Sequence, residues 1–285
     1  MAKVKTAFVC NDCGADYPKW QGQCGECSAW NTMTEIRLGP TKAAGASRTA
    51  RVGGYAGTTA DVRLLKDIDV VELPRFSSGL VELDRVLGGG FVPGSAILIG
   101  GHPGAGKSTL LLQTLCLLAA SHSALYVTGE ESPQQIAMRA ERLGLPTDLL
   151  KIMAETDVDT ILAAAEQHKP KVMVVDSIQV VHSEGIASAP GSVSQVRDCA
   201  AQLTRFAKQS GLVLILVGHV TKDGSLAGPK VLEHMIDCSI LLEGEHDSRY
   251  RTLRGSKNRF GAVNELGIFA MTDQGLKEVK NPSAI

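Results

Sequence analysis

From residue 95 onward, short apolar runs recur along the chain with amphipathic stretches between them. "SAILIG" (95–100), "ALYVTGEE" (124–131), "KVMVVDSIQVV" (171–181), "GLVLILVGHVT" (211–221), "HMIDCSILLEG" (234–244) and "YRTLRGSKNRFG" (250–261) each predict a strand. "TLLLQTLCLLAA" (109–120) and "SVSQVRDCAAQLTRFAKQ" (192–209) predict helices, and "SPQQIAMRAERLGLPTDLL" (132–150) a helix and turn. Ahead of them, "LVELDRVLGGG" (80–90) predicts a short helix closed by glycines. Strands alternating with helices imply an α/β fold with a mostly parallel sheet and flanking helices. Ligands in such sheets sit at the carboxyl ends of the strands.

The first 60 residues follow another pattern. Cys10, Cys13, Cys24 and Cys27 form two Cys-x-x-Cys pairs, with glycine after Cys13 and Cys24. Four thiolates at this spacing suit a closed tetrahedral Zn²⁺ site, and a segment this small takes its folding energy from the metal. A disulfide pair or a redox-active Cys-x-x-Cys is the alternative; the expected compartment disfavours the first and the absence of a βαβ setting the second. Tyr17, Trp20 and Trp30 are expected to pack around the metal, base stacking being the second role open to them. Residues 33–60 are rich in Gly, Ala, Ser and Thr without helical or alternating period, and predict a flexible linker. The expected organisation is a small zinc module at 1–32, a linker at 33–60 and a nucleotide-binding domain at 61–285.

Bulk properties narrow the picture. With 44% hydrophobic residues among 285, the chain can bury a sizeable core. A net charge of −1 gives no global basic field, so a nucleic-acid partner requires a local basic groove. No apolar stretch approaches membrane-span length and the N-terminus lacks a secretory apolar core, so no membrane partner is expected and the default location is cytoplasmic. Cys116, Cys199 and Cys238 read as small buried hydrophobes. Asp61, His122 and His246 read as surface residues.

"GHPGAGKST" supplies the chemistry: Gly101, His102, Pro103, Gly104, Ala105, Gly106, Lys107 and Ser108 fit G-x-x-x-x-G-K-[ST] without a gap, with Thr109 following. Backbone N–H groups of such a loop curl around a phosphate, so ATP is the expected cofactor. Lys107 reaches for the β- and γ-phosphates, and Ser108 offers its hydroxyl to Mg²⁺. Asp176 ends a buried strand, where a carboxylate serves the same Mg²⁺. Glu130 and Glu131 are the carboxylates available to activate water; neighbours on an extended strand face oppositely, and Glu130 is favoured over Glu131. Either glutamate could instead cap the helix that follows. His219 ends the next strand as a candidate γ-phosphate sensor, a hydrogen-bonded sheet-edge histidine being the plainer reading.

This order of motifs resembles the RecA-type ATPases, and "EES" resembles their KaiC-like branch, in which the first glutamate is the main catalytic one. The four-cysteine start, "GHVTKDGSLAGPKVLEH" (218–234) and "KNRFG" (257–261) narrow the resemblance to the RadA (Sms) family of bacterial DNA repair and recombination proteins, over essentially the whole chain. It implies a RecA-like core and an ATP-dependent motor that translocates on single-stranded DNA and promotes branch migration of recombination intermediates. It also implies a homo-hexameric ring similar to DnaB-type helicases, with the RecA recombinase a further partner.

Within that resemblance, Lys257 and Arg259 of "KNRFG" are needed for DNA work, and by similarity to ring ATPases they reach a neighbouring subunit's γ-phosphate. The loops at 183–197 and 221–234 would line the ring; Arg197, Lys222 and Lys230 offer phosphate contacts, and neither loop holds an aromatic residue. Binding is therefore expected to follow the backbone, with strong salt dependence. Family members usually continue into a domain resembling the Lon protease, whereas this chain ends at "EVKNPSAI", so a weakened hexamer and no protease activity are expected. An ATP-switched recombination mediator without processive movement is the alternative. A KaiC-like clock ATPase would leave the zinc module and "KNRFG" unexplained.

Overall fold

The computed structural model describes residues 5–10, 15–38, 62, 64–68, 74–219, 231–244 and 248–280. Cys13, Asp61, Lys222, Lys230, His246 and residues 39–60 of the expected linker lie outside them.

The N-terminal residues form a three-stranded antiparallel sheet from β1 (Lys5–Cys10), β2 (Asp16–Tyr17) and β3 (Met33–Leu38), ordered β2-β1-β3. The linker expectation is corrected at its start, because 33–38 pair with β1 along its whole length, from Lys5 opposite Leu38 to Cys10 opposite Met33. Cross-strand pairing supplies the order that composition alone did not predict.

The rest of the described chain builds one nine-stranded sheet. In chain order come α1 (Val81–Leu87), β4 (Ala96–Gly100), α2 (Lys107–Leu118), β5 (Ala124–Thr128), α3 (Pro133–Arg142), β6 (Lys151–Ala154), α4 (Val158–His168) and β7 (Val172–Asp176). There follow α5 (Val193–Ser210), β8 (Val213–Val217), α6 (Val231–Met235), β9 (Cys238–Glu243), β10 (Tyr250–Asn258), β11 (Leu266–Thr272) and β12 (Gly275–Glu278). The order is β12-β11-β10-β9-β4-β8-β7-β5-β6, parallel from β9 to β6 and antiparallel from β9 outward to β12.

Every residue of β4, β5, β7 and β8 is buried, which explains why these strands read as continuous apolar runs. Successive side chains point to opposite faces. Ile97, Ile99, Tyr126, Val174 and Ile215 join α1, α2 and α3 on one side, while Leu98, Val127, Met173, Val175 and Leu216 join α4, α5 and α6 on the other. Cys116, Cys199 and Cys238 are buried among them. Burial pushes their thiols up, to about 11 for Cys116 and about 12 for the other two, as expected of inert core cysteines. His122 is not a plain surface residue: its ring stacks on Phe76 with centroids 4.6 Å apart.

Candidate functional site

β4 passes into the glycine-rich loop, which is crowded at Gly101 and Gly106. A Cβ on Gly101 would stand 2.5 Å from the carbonyl oxygen of Leu242. One on Gly106, whose φ of 103° already favours glycine, would stand 3.0 Å from Met271 Cε. The antiparallel strands thus press against the loop from behind. Arg251 on β10, a buried residue the motif reading did not single out, donates from Nε to the carbonyl of Ala105 at 3.2 Å.

α2 starts at Lys107 without a side-chain cap, unlike α3, α4 and α5, which Ser132, Asp157 and Ser192 cap. Its first N–H groups and positive dipole end therefore face the loop, as an anion site requires. Lys107 is buried and its Nζ donates to the carbonyls of Gly101 (2.6 Å) and His102 (3.0 Å). Burial lowers its pKa, opposed by the negative charges of Asp176 and Glu130. Beside the loop opens a cavity of about 440 Å³, lined by Gly101, His102, Glu243, Tyr250, Thr252 and Arg254.

The strand ends converge on this loop. Asp176, the last residue of β7, accepts at Oδ2 from Ser108 Oγ (2.7 Å) and from Tyr126 OH (2.6 Å). Tyr126 is fully buried in β5 and its phenol is pushed well above its ordinary pKa, first by burial and then by the Asp176 charge. The motif reading missed it, although a tyrosine in a buried strand needs a partner for its hydroxyl. Asp176 and Ser108 offer hard oxygen donors to one point, which fits Mg²⁺.

β5 stops at Thr128, so Glu130 and Glu131 diverge in the turn that follows rather than by strand alternation. Glu130 Oε1 accepts from Ser177 Oγ and pairs with His219 Nε2 at 3.0 Å. Burial raises its pKa, but these two hydrogen bonds and the charges of His219 and Lys107 outweigh that and hold the carboxyl below its ordinary range. Glu131 turns away into an ion pair with Arg139. Neither glutamate caps α3; Ser132 and Gln135 do so reciprocally.

Of the expected DNA contacts, Arg197 is exposed on the second turn of α5. Beneath it, the buried Gln195 side chain holds the 183–188 segment by accepting from the Ser183 N–H (2.8 Å) and donating to the carbonyl of Ser188 (2.9 Å). The "KNRFG" pair makes bonds within the chain. Lys257 Nζ donates to the carbonyl of Glu233, and Arg259 donates to the carbonyl of His234 (2.8 Å) and to Asp237 Oδ1 (2.9 Å). Asp237, only 2% exposed, also takes Lys208 at 2.8 Å and the Ala96 N–H at 2.9 Å. Both basic residues are thereby docked where the chain re-emerges after 220–230.

In the N-terminal module, the sulfurs of Cys10, Cys24 and Cys27 lie within 4.8 Å of one another. Cys10 and Cys27 are 3.6 Å apart, near the separation of about 3.8 Å set by Zn–S bonds of ~2.3 Å in a tetrahedron. Tyr17 packs against this cluster, its OH 3.5 Å from Cys24 Sγ. Trp20 and Trp30 do not: they are 56% and 68% exposed, which corrects the packing expectation. Among the described residues of the module only Cys10 and Cys24 are buried, so it offers an indole little interior.

Residues 69–225 match the family model described as an AAA domain. The chain belongs to the AAA domain family. Residues 8–35 match a second model, a rubredoxin metal binding domain. The chain is similar to the DNA repair protein RadA of Escherichia coli K12, at 67% identity over all of this chain and 62% of that protein. It is also similar to the proteins of that name from Pseudomonas aeruginosa PAO1, at 60% identity, and Bacillus subtilis 168, at 50%, again over all of this chain and 62% of each relative. The chain thus spans about 62% of the length of the curated relatives it matches. Among the described residues no helix is long and apolar enough to cross a membrane.

Proposed function

We propose that this chain is an ATP-hydrolysing motor on single-stranded DNA, acting in DNA repair and in branch migration of recombination intermediates. The observation that carries this reading is the cluster of Lys107, Ser108, Asp176, Glu130 and His219 at the ends of neighbouring strands, with His219 leading directly into 220–230. Identity to relatives named for DNA repair supports the DNA side.

Gly101 to Thr109 would cradle the triphosphate and the cavity beside Tyr250 its nucleoside. Lys107 would exchange its loop carbonyls for phosphate oxygens, which make stronger, charge-assisted hydrogen bonds to a buried ammonium. Ser108 and Asp176 would hold Mg²⁺, which when bound neutralises charge on the β- and γ-phosphates. Glu130 orients the attacking water and takes its proton, while Glu131 stays paired with Arg139. His219 shares an oxygen of Glu130 and so links the water site to the 220–230 segment. Arg197, Lys222 and Lys230 would contact DNA phosphates. Lys257 and Arg259 would brace the foot of that segment; reaching a neighbour's γ-phosphate requires exchanging their bonds to Glu233, His234 and Asp237.

Cys10, Cys13, Cys24 and Cys27 would hold Zn²⁺. A zinc module extended to residue 38, followed by the ATPase domain, a homo-hexameric ring, partnership with the RecA recombinase and a cytoplasmic location belong to the same proposal. Streptavidin displacement from biotinylated single-stranded DNA tests it. A motor clears the streptavidin from one end in an ATP-dependent way; tight ATP-dependent binding without displacement at either end would replace the motor by a nucleotide-switched mediator.

A further inference from the structure

Trp20 and Trp30 are the two tryptophans of the whole chain, and both stand out from the zinc module into solvent. The backbone arranges this. Gln23 bridges Trp30, and the Asn31 N–H donates to the Gly22 carbonyl at 2.8 Å, so 22–23 runs alongside 30–31. The two indoles then flank Gly22. A Cβ there would stand 3.8 Å from Trp20 Cη2 and 3.7 Å from Trp30 Cζ3. One flat ring resting over Gly22 can therefore touch both indoles. Gly22 is not among the residues with positive φ, so turn geometry does not explain a glycine at this position.

The surroundings are polar. Lys19, Gln23 and Asn31 are exposed beside the indoles, and Gln21 Nε2 is buried without a hydrogen-bond partner among the described residues. Within 15–35, Trp20 and Trp30 are the only exposed large hydrophobic residues among those described. A protein partner would look for a contiguous apolar centre with a polar rim, and none surrounds the pair. Two aromatic faces set among amide donors and acceptors instead match an unstacked base, which offers a flat π-surface and hydrogen-bonding edges.

We propose that Trp20, Gly22 and Trp30 form a stacking site for an unpaired nucleobase of single-stranded DNA. The proposal rests on the reading that the chain works on single-stranded DNA, and it adds a division of labour. The loops at 183–197 and 221–234 hold no aromatic residue and suit phosphates, whereas the zinc module takes bases.

Because the chain has no other tryptophan, its intrinsic emission reports this site alone. Zinc-loaded full chain is titrated with fluorescein-labelled oligo-dT and, separately, with an abasic strand of equal length; label anisotropy reads total binding and tryptophan emission reads stacking. Oligo-dT is expected to quench the tryptophans in step with anisotropy, and the abasic strand to bind more weakly without quenching. Trp30→Ala should weaken oligo-dT binding about five- to a hundredfold and abasic binding hardly at all. Trp30→Phe should recover much of the loss. Gly22→Ala, whose methyl meets only ordinary contacts, should keep the fold and zinc content yet weaken oligo-dT binding.

Oligo-dT and abasic strands binding alike without quenching would overturn the stacking site and leave the DNA reading standing. No anisotropy change with either strand would overturn both. Oligo-dT binding indifferent to Trp30→Ala would also overturn the site, leaving protein docking as the use of these indoles.

Discussion

In the nine-stranded sheet, β4, β5, β7 and β8 are buried at every position, nearly all of them apolar. In the N-terminal module, residues 5–38, Cys10 and Cys24 are the only buried residues among those whose burial is described, and both tryptophans stand in solvent. One unit is organised by area removed from water, at roughly 1.5–3 kcal/mol for each fully buried side chain such as Leu110 or Leu115. The other gathers three cysteine sulfurs within 4.8 Å of one another, an arrangement that suits a metal-held module. The difference also governs where function sits. The large sheet places Asp176, Glu130 and His219 at or just beyond its strand ends, while the small module leaves its two tryptophans exposed.

The largest expected break in the comparison is in the zinc module. Cys24→Ser, or removal of zinc with a strong chelator, should unfold residues 5–38, seen as loss of the module's zinc and of amide protection, while the thermal melt of the nine-stranded sheet persists. A common loss of both would show that apolar burial does not suffice for the larger unit.

Next comes Glu130, the carboxylate proposed to activate water. Glu130→Gln should lower the turnover of ATP about 10²- to 10⁴-fold with nucleotide affinity retained, whereas Glu131→Gln should cost far less, since it loses only the pairing with Arg139. Phosphate-release kinetics separate the two.

Asp237→Asn should destabilise the large domain by about 3–5 kcal/mol, because Lys208 and Arg259 lose their shared buried counter-charge. Denaturant unfolding measures this. Tyr126→Phe removes one donor to Asp176 and should weaken Mg²⁺-dependent nucleotide binding by about 1.5–3 kcal/mol, with Mg²⁺-free binding unchanged. Fluorescent-nucleotide titration over a Mg²⁺ series reads it.

The smallest effect concerns protons. Hydrogen bonds from Ser177 and His219 help hold the Glu130 carboxyl below its ordinary range, so its folded pKa lies under the unfolded one. The stabilisation is therefore present above the unfolded pKa and is lost as pH falls through the folded pKa. Ser177→Ala removes one of those bonds and should move the acid limb of the pH–rate profile to higher pH. An unmoved limb would detach Ser177 from the base.

Most of the large sheet was legible because its parallel core strands are continuous apolar runs. β6 was not, since three of its four residues are exposed and only its pairing with β5 makes it a strand. β11 and β12 were missed because neither is a continuous apolar run: β11 is buried only at Gly267 and Phe269, and β12 has just four residues. The phosphate loop, Asp176 and the glutamate pair were legible from local motif order. Which glutamate faces the loop depends on Ser177 and His219, distant in sequence, and on Arg139 in the following helix. The docking of Arg259 on Asp237 is likewise a contact between the residue after β10 and the segment before β9, with no local signature. Trp20 and Trp30 misled for a physical reason: large aromatics are normally buried, and a module held by metal has little interior to bury them in.

The most direct test of the account is the initial rate of phosphate release from ATP by the 285-residue chain, with and without single-stranded DNA, beside Lys257→Ala and Arg259→Ala. The account predicts that DNA accelerates the wild type and that both substitutions abolish the acceleration. A wild-type rate that ignores DNA, under conditions where the strand is bound, would contradict it.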